Sequence, residues 1–299
     1  MQRTLYLDIE TIPGQDPAVM DALRADAAID KAAVKAPSNY KDEAKIAEFI
    51  AAKHAEIDAE VDAKWRKTSF DGAYGQLAVI GAAMESGEPV TFWGDAWNQP
   101  VYESQILGNF AAWLDSQIAR NEALTTIIVG HYVSDFDLRF IRQRCIMVGV
   151  RPHAVIARAC EAKPWETDKV YDTMVQWASV KGSIGLDRLC RAMGLPGKGD
   201  IDGSKVWDYV RDGRIAEVAA YCADDVKRAR AVHRRMTFAD IAAALKTYNA
   251  EISAGQFGGA PSVPGQRLNA SIIVQSMLKT PEEFAAIPLR TNPDGSVYV

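Results

Sequence analysis

The run Thr4-Leu5-Tyr6-Leu7-Asp8-Ile9-Glu10 constrains this chain more than any other stretch. It is apolar and β-prone and is stopped by Pro13, the pattern of a strand in a packed interior. Two of its positions nevertheless carry carboxylates. With a side-chain period of two, Asp8 and Glu10 leave the same face of the strand. Side by side they repel, and in an apolar strand they are costly to bury. A divalent cation relieves both problems, whereas a strand end that reaches solvent makes the two acids harmless. The strand alone leaves these readings level.

The rest of the chain narrows the setting. It has 299 residues, 48% of them hydrophobic and 24% charged, the balance of an ordinary globular protein large enough for one domain and an appendage. No apolar run approaches the length needed to cross a bilayer. The N-terminus enters the first strand with no signal-peptide layout, so the expectation is a cytoplasmic protein that does not engage membranes. Cys145, Cys160, Cys190 and Cys222 lack a Cys-x-x-Cys spacing and read as reduced, buried thiols. A net charge of −5 argues against a basic surface that coats nucleic acid. It does not exclude an acidic site that turns positive once loaded with metal.

Between about residues 16 and 70 the sequence is rich in Ala, Lys, Asp and Glu at helical spacing, broken near Pro37, and predicts a helical insertion. Residues 76–81 and 90–93 predict a hairpin around Gly87. A helix over 102–120, a buried strand at 126–129 and a helix over 136–148 follow. Further helices are expected at 185–193, 204–211 and 215–236. Strands first, then strands alternating with helices, indicate a mixed α/β sheet with flanking helices.

Two later segments carry acids. In Gly130-His131-Tyr132-Val133-Ser134-Asp135-Phe136-Asp137, directly after a buried strand, Asp135 suits a helix-capping role. Asp137, followed by Leu138 and Phe140, starts a face that packs inward. In the helix from Ile215, Tyr221 and Asp225 stand at i and i+4. Asp225 falls inside the apolar stripe Ile215, Val218, Cys222, Val226, Ala229 and Met236, while Asp224 points to solvent. A carboxylate in such a stripe needs a charged partner or a metal. Arg228 and Arg230 are the candidate structural partners. Asp172 can assist the site or serve as a structural hydrogen-bond acceptor. His131 and His233 are too scattered for a metal cluster, and Gly197-Lys198-Gly199 lacks the upstream spacing of a phosphate-binding loop.

Taken in order, Asp-x-Glu on a strand, Phe-Asp opening a helix and Tyr-x-x-x-Asp on a late helix resemble the DEDDy branch of the DnaQ-like 3′→5′ exonucleases. The resemblance is to the polymerase-B-like group over about residues 1–237. It implies an RNase H-like fold, with Asp8, Glu10, Asp137 and Asp225 as ligands of two divalent ions, Mg²⁺ or Mn²⁺. It further implies catalytic work for Tyr221, orienting the attacking water, and a nucleic acid with a free 3′ end as partner. Thr11 and Ile12 would line the terminal-nucleotide pocket. Phe136 is a candidate for base stacking, with core packing as its competing reading; Lys198 is a candidate for a weak phosphate contact, with a plain turn as its competing reading. One departure stands out: such proteins usually carry Asn after the Gly-His pair, and here that place is Tyr132. Ala220, five residues before Asp225, disfavours the sister branch that uses His there. The implied function is exonucleolysis of single-stranded DNA, with RNA next. An oligoribonuclease-like enzyme and a non-catalytic assembly protein are the alternatives.

Composition changes at about 237–240. All seven tryptophans and all four cysteines and histidines precede that point. Beyond it, the Ala-rich segment from Ala239, then Gly255–Gly265 and Thr280–Ser296, resemble a porter-region fragment of resistance-nodulation-division efflux pumps. There the segment forms a helix and an extended arm that docks on a neighbouring subunit. Residues 238–299 are therefore expected to be a helix plus a Gly/Pro-rich extended appendage, through which copies of the chain can pair.

Overall fold

The computed structural model describes residues 3–197, 202–248, 252–257, 270–275, 278–280, 283–284, 286–287, 290–291 and 297–298. Its centre is a five-stranded sheet of order β3-β2-β1-β4-β5. The strands are β1 (Arg3–Ile12), β2 (Gln76–Met84), β3 (Val90–Phe92), β4 (Thr126–Gly130) and β5 (Val170–Asp172). β1 runs antiparallel to β2 and parallel to β4, and β5 continues parallel to β4. This is the mixed sheet with flanking helices that the sequence pattern predicts, in the RNase H-like arrangement that the resemblance implies.

Local chemistry explains the order. β2 is buried from Leu77 to Met84, and its reversal into β3 uses the turn ending at Gly87, whose amide donates to the Met84 carbonyl (2.8 Å). The parallel pair β1–β4 needs a crossover, supplied by the hairpin and α3 (Tyr102–Gln117), which buries Ile106, Leu107, Phe110 and Leu114. Asp16 and Asp42 cap the inserted helices α1 (Pro17–Ala33) and α2 (Glu43–Lys67), which flank Pro37 as anticipated. β4 leads to α4 (Asp137–Met147) and then α5 (Ala154–Ala159), and β5 to α6 (Thr173–Ala178). β5, α5 and α6, each three to six residues long, are too short to show a periodicity in the sequence. α7 (Leu186–Ala192) and α8 (Val206–Arg211) precede α9 (Ile215–Tyr248).

α9 corrects one expectation. It continues to Tyr248 rather than ending near Met236. No Gly or Pro interrupts 237–248, and the Thr237 hydroxyl bonds back to the His233 carbonyl (2.9 Å) instead of stopping the helix.

The chain divides into two compact units, Met1–Val232 and His233–Val299. Within the second unit, β6 (Ile252–Phe257) pairs antiparallel with β7 (Ala270–Gln275), and β8 (Arg290–Thr291) with β9 (Val297–Tyr298). Most of the expected Gly/Pro-rich arm, 258–269, lies outside the described residues. Among the described residues, no helix is long and apolar enough to cross a membrane.

Candidate functional site

The site forms where β1 outruns its parallel neighbour. Pairing with β4 ends at Tyr6 opposite Val129. β1 continues through Asp8 and Glu10 along β2 alone, with a register shift between Glu10 and Thr11. Bulges of this kind recur beside functional sites because they re-aim side chains.

Two glycines let other elements close on this stretch. Gly81 lies opposite Asp8 in the β1–β2 ladder. A Cβ built there would sit 2.7 Å from Cys222 Sγ and 3.2 Å from a Val226 methyl. Only a bare backbone allows α9 so near the sheet, and that approach carries Asp225 to β1. At the end of β4, a Cβ on Gly130 would meet the Leu7 carbonyl at 2.8 Å. The chain can therefore turn tightly past β1 into α4.

Asp8, Glu10 and Asp225 present carboxylate oxygens within 4.8 Å of one another. Asp137, the first residue of α4, accepts the Ile9 amide through Oδ1 (2.9 Å) and is thereby tied to β1 at the residue between Asp8 and Glu10 in sequence. Of the four sequence-selected carboxylates three thus gather at one place, and the fourth, Asp137, is tied to the same strand and raises the Asp8 carboxyl. Asp135 is exposed and Asp224 faces solvent, where Lys227 pairs with it.

The electrostatics are those of crowded acids. Burial, then the neighbouring Asp137 and Glu10 carboxylates, hold Asp8 well above the usual carboxylate range, against the Cys222 thiol and Arg228. Burial, with Asp172 adding, pushes Asp137 up to about 8 against the two backbone amides that it accepts. Cys222 stays a thiol, raised by burial and by Asp8, and donates to Asp8 Oδ2 (3.3 Å). A compact set of hard oxygen donors that resists carrying its full negative charge alone fits divalent cations of the Mg²⁺ or Mn²⁺ type.

α9 brings more than one acid. Tyr221, Asp225 and Arg228 stand at i, i+4 and i+7 and so share a face. The Arg228 guanidinium is buried, bonds Asp225 through Nη2 and lies 5.7 Å from the centre of the Tyr221 ring. Of the two candidate partners for Asp225, Arg228 is the one that pairs with it. Arg230 instead donates to the Gly87 carbonyl (2.6 Å). Burial, then Glu10 and Asp8, raise the Tyr221 phenol, so it remains a proton donor near neutral pH.

The remaining candidates separate. The Thr11 hydroxyl donates to the Ser69 carbonyl (2.7 Å), tying β1 to the end of the insertion. Ile12 is fully buried in the core, so its side chain does not line an open pocket; the two-residue period turns it inward once the strand passes the bulge. Phe136 is half-buried against Phe140 and Phe70 and lies parallel to the Tyr132 ring (6.4 Å, 2°). Lys198 lies outside the described residues.

Asp172 is a structural acceptor. Its carboxylate takes the amides of Tyr132 and Ser134 (both 3.0 Å) and of Met174 and Val175 (3.0 and 3.3 Å). It thereby fixes the loop that presents Asp137. Tyr132 holds a positive φ of 64° within that loop, and its exposed ring extends the aromatic surface begun by Phe136. The sequence marks Tyr132 only as a departure from a family pattern, and Asp172, at the end of a strand of three residues, has no period to read. His131 has both ring nitrogens engaged, by the Thr173 hydroxyl (2.9 Å) and the Ile184 carbonyl (2.7 Å), and burial lowers its pKa.

Comparison with known proteins bears on both parts of the chain. A short stretch is similar to efflux proteins. It is 54% identical over 63 residues to the Multidrug export protein AcrF of Escherichia coli. It is 44% identical over 62 residues to the Toluene efflux pump membrane transporter TtgB of Pseudomonas putida. Each match takes in 21% of this chain and only 6% of the relative. This agrees with the resemblance of the C-terminal segment to a pump fragment. Among solved structures, the family B DNA polymerase of Pyrobaculum calidifontis aligns over 83% of this chain and 26% of the polymerase chain, at 15% identity and a TM-score of 0.47. Residues 99–256, more than half of the chain and including Asp137, Tyr221 and Asp225, match the family described as "Predicted 3'-5' exonuclease related to the exonuclease domain of PolB". The chain belongs to that family.

Proposed function

We propose that this protein is a metal-dependent 3′→5′ exonuclease that acts on single-stranded DNA ends. The observation that carries this reading is the convergence of Asp8, Glu10 and Asp225 within 4.8 Å, from a strand and a helix far apart in sequence. Asp137 is bonded to the same strand.

Asp8, Glu10, Asp137 and Asp225 would hold two divalent ions, Mg²⁺ or Mn²⁺. Bound there, such ions supply Lewis-acid activation of water and stabilisation of the departing oxygen. The chain's own groups do the rest. Water attacks the terminal phosphodiester, the P–O3′ bond breaks, and the products are a nucleoside 5′-monophosphate and a chain ending in a new 3′-hydroxyl. Tyr221, kept protonated, donates its hydroxyl hydrogen bond to orient the attacking water. Thr11 and the paired Phe136 and Tyr132 rings offer a polar edge and apolar faces to the terminal nucleotides, since stacking on aromatic rings tolerates any base. Asp172 holds the loop that carries Asp137 and Phe136 in register.

The first experiment compares single-stranded DNA and RNA oligonucleotides labelled at either end, incubated with Mn²⁺ or with a chelator. The proposal expects a ladder from the 5′-labelled DNA, immediate release of label from the 3′ end, and silence with chelator. Preferential attack on short RNA would move the substrate to the oligoribonuclease-like alternative. Intact oligonucleotides under all conditions would leave a non-catalytic role.

A further inference from the structure

Two arginines whose ion pairs are largely shielded from solvent, Arg144 and Arg228, are held very differently. Arg144 is locked. Its Nε and Nη2 clasp both oxygens of Glu103 (2.9 and 2.6 Å), and its Nη1 donates to the Gly72 carbonyl (3.1 Å). Glu103 in turn accepts the Leu77 amide (2.9 Å). This is how a permanent interior ion pair is satisfied.

Arg228 is buried, 7% exposed, yet it holds Asp225 through Nη2. Its Nε is closed off from solvent and has no hydrogen-bond partner. An unsatisfied interior N–H is costly, so the arrangement is not one selected for maximal rigidity. The place of this cation matters. Its acceptor is a carboxylate of the acid cluster, and its field also reaches Asp8 and Tyr221.

We propose that Arg228 is an exchangeable internal counter-ion. It neutralises Asp225 while the site is metal-free and gives up that carboxylate when divalent ions bind. The inference rests on the metal reading above. Four carboxylates and two divalent ions balance in charge; a fifth positive charge in the same pocket is surplus, and the guanidinium must turn away from Asp225. Arg228 therefore sets two quantities at once. It preserves the fold of the empty site, where like charges would otherwise face one another unscreened. It also weakens apparent metal affinity, because each loading event must first break an ion pair. Arg228 is a positioning residue here, acting on the ligands rather than on the substrate.

The test uses the full-length, metal-stripped protein in two measurements. The first follows the side-chain Nε–H resonance of Arg228 in the unaltered protein during Mg²⁺ titration, assigned by its loss in Arg228→Lys. The inference expects that resonance to shift in step with occupancy. The second is calorimetric titration with Mn²⁺. Arg228→Gln should bind about tenfold more tightly than the unaltered protein, the scale of one close charge coupling, while its metal-free melting temperature falls. An Nε–H signal that stays put while metal binds, or a folded Arg228→Gln that binds Mn²⁺ no more tightly, overturns the counter-ion role and leaves the metal reading standing. Absence of binding in both the unaltered protein and Arg228→Gln would overturn the metal reading and this inference with it. Binding only in Arg228→Gln would support the inference in its strongest form.

Discussion

α2 and α9 are both long, alanine-rich and charged, and they serve the molecule in opposite ways. α2 buries none of its 25 residues. It is fastened mainly at its end, where the Trp65 indole donates to the Gly14 carbonyl (2.9 Å) and stands edge-on to Trp207 (5.2 Å). Its other polar contacts include exposed pairs such as Lys31–Asp58, which joins it to α1. α9 buries Ile215, Val218, Cys222, Val226, Ala229 and Val232, and inside that apolar stripe it places Asp225 and Arg228. The difference shows where sequence change is tolerated. A charge on α2 is solvated whatever its neighbours do, whereas a charge on the inner face of α9 must be matched by another element or by an ion.

The largest expected effects fall on the inner face. Asp8→Ala and Asp225→Ala should both abolish nuclease activity, yet they should separate in stability. Removing Asp8 relieves repulsion among buried acids, so the metal-free protein should melt higher. Removing Asp225 strands the Arg228 guanidinium and should cost about 3 kcal/mol. Thermal melts in chelator check this, and equal shifts for the two variants would show that the Arg228 pair contributes nothing.

Next comes Gly81→Ala. The added methyl collides with Cys222 and Val226 and should cost about 1–3 kcal/mol, the usual penalty of overpacking. It should also weaken Mn²⁺ binding, because Asp225 rides on the helix that is displaced. Calorimetry at a temperature where the variant is folded separates the two effects.

Tyr221→Phe keeps the ring and loses one hydroxyl. Its kcat should fall on the order of tenfold to a hundredfold with KM little changed, the pattern of an interaction made mainly in the transition state. An unaltered kcat would remove Tyr221 from the mechanism.

The smallest effect should come from Lys31→Ala, which breaks the α1–α2 ion pair. Solvent screening limits its contribution to under about 1 kcal/mol, and activity should be unchanged. A large loss of activity would mean that the inserted helices take part in the site and would erase the contrast between α2 and α9.

The same contrast explains what the sequence can reveal. The acids are legible because each interrupts a strict pattern: Asp8 and Glu10 break an apolar strand, and Asp225 breaks an apolar helical stripe. Their convergence follows from elements whose order is conspicuous in the sequence. What stays hidden depends on contacts without a period. Asp172 gathers four amides from a strand too short to read. Ile12 turns inward after a bulge that no residue pattern announces. Helical spacing marks Arg228 as the i+3 neighbour of Asp225, but that its Nε is buried without a partner comes only from the packing around it. The full length of α9 is hidden because a change in composition near residue 237 is no helix breaker.

The proposed nuclease chemistry depends on ions held by four carboxylates from β1, α4 and α9. Anomalous scattering from crystals of the protein soaked in Mn²⁺ tests it most directly. Two peaks are expected, both among Asp8, Glu10, Asp137 and Asp225, with loss of both in Asp8→Ala. A folded protein whose crystals show no peak at those residues, or bind Mn²⁺ only elsewhere, would contradict it.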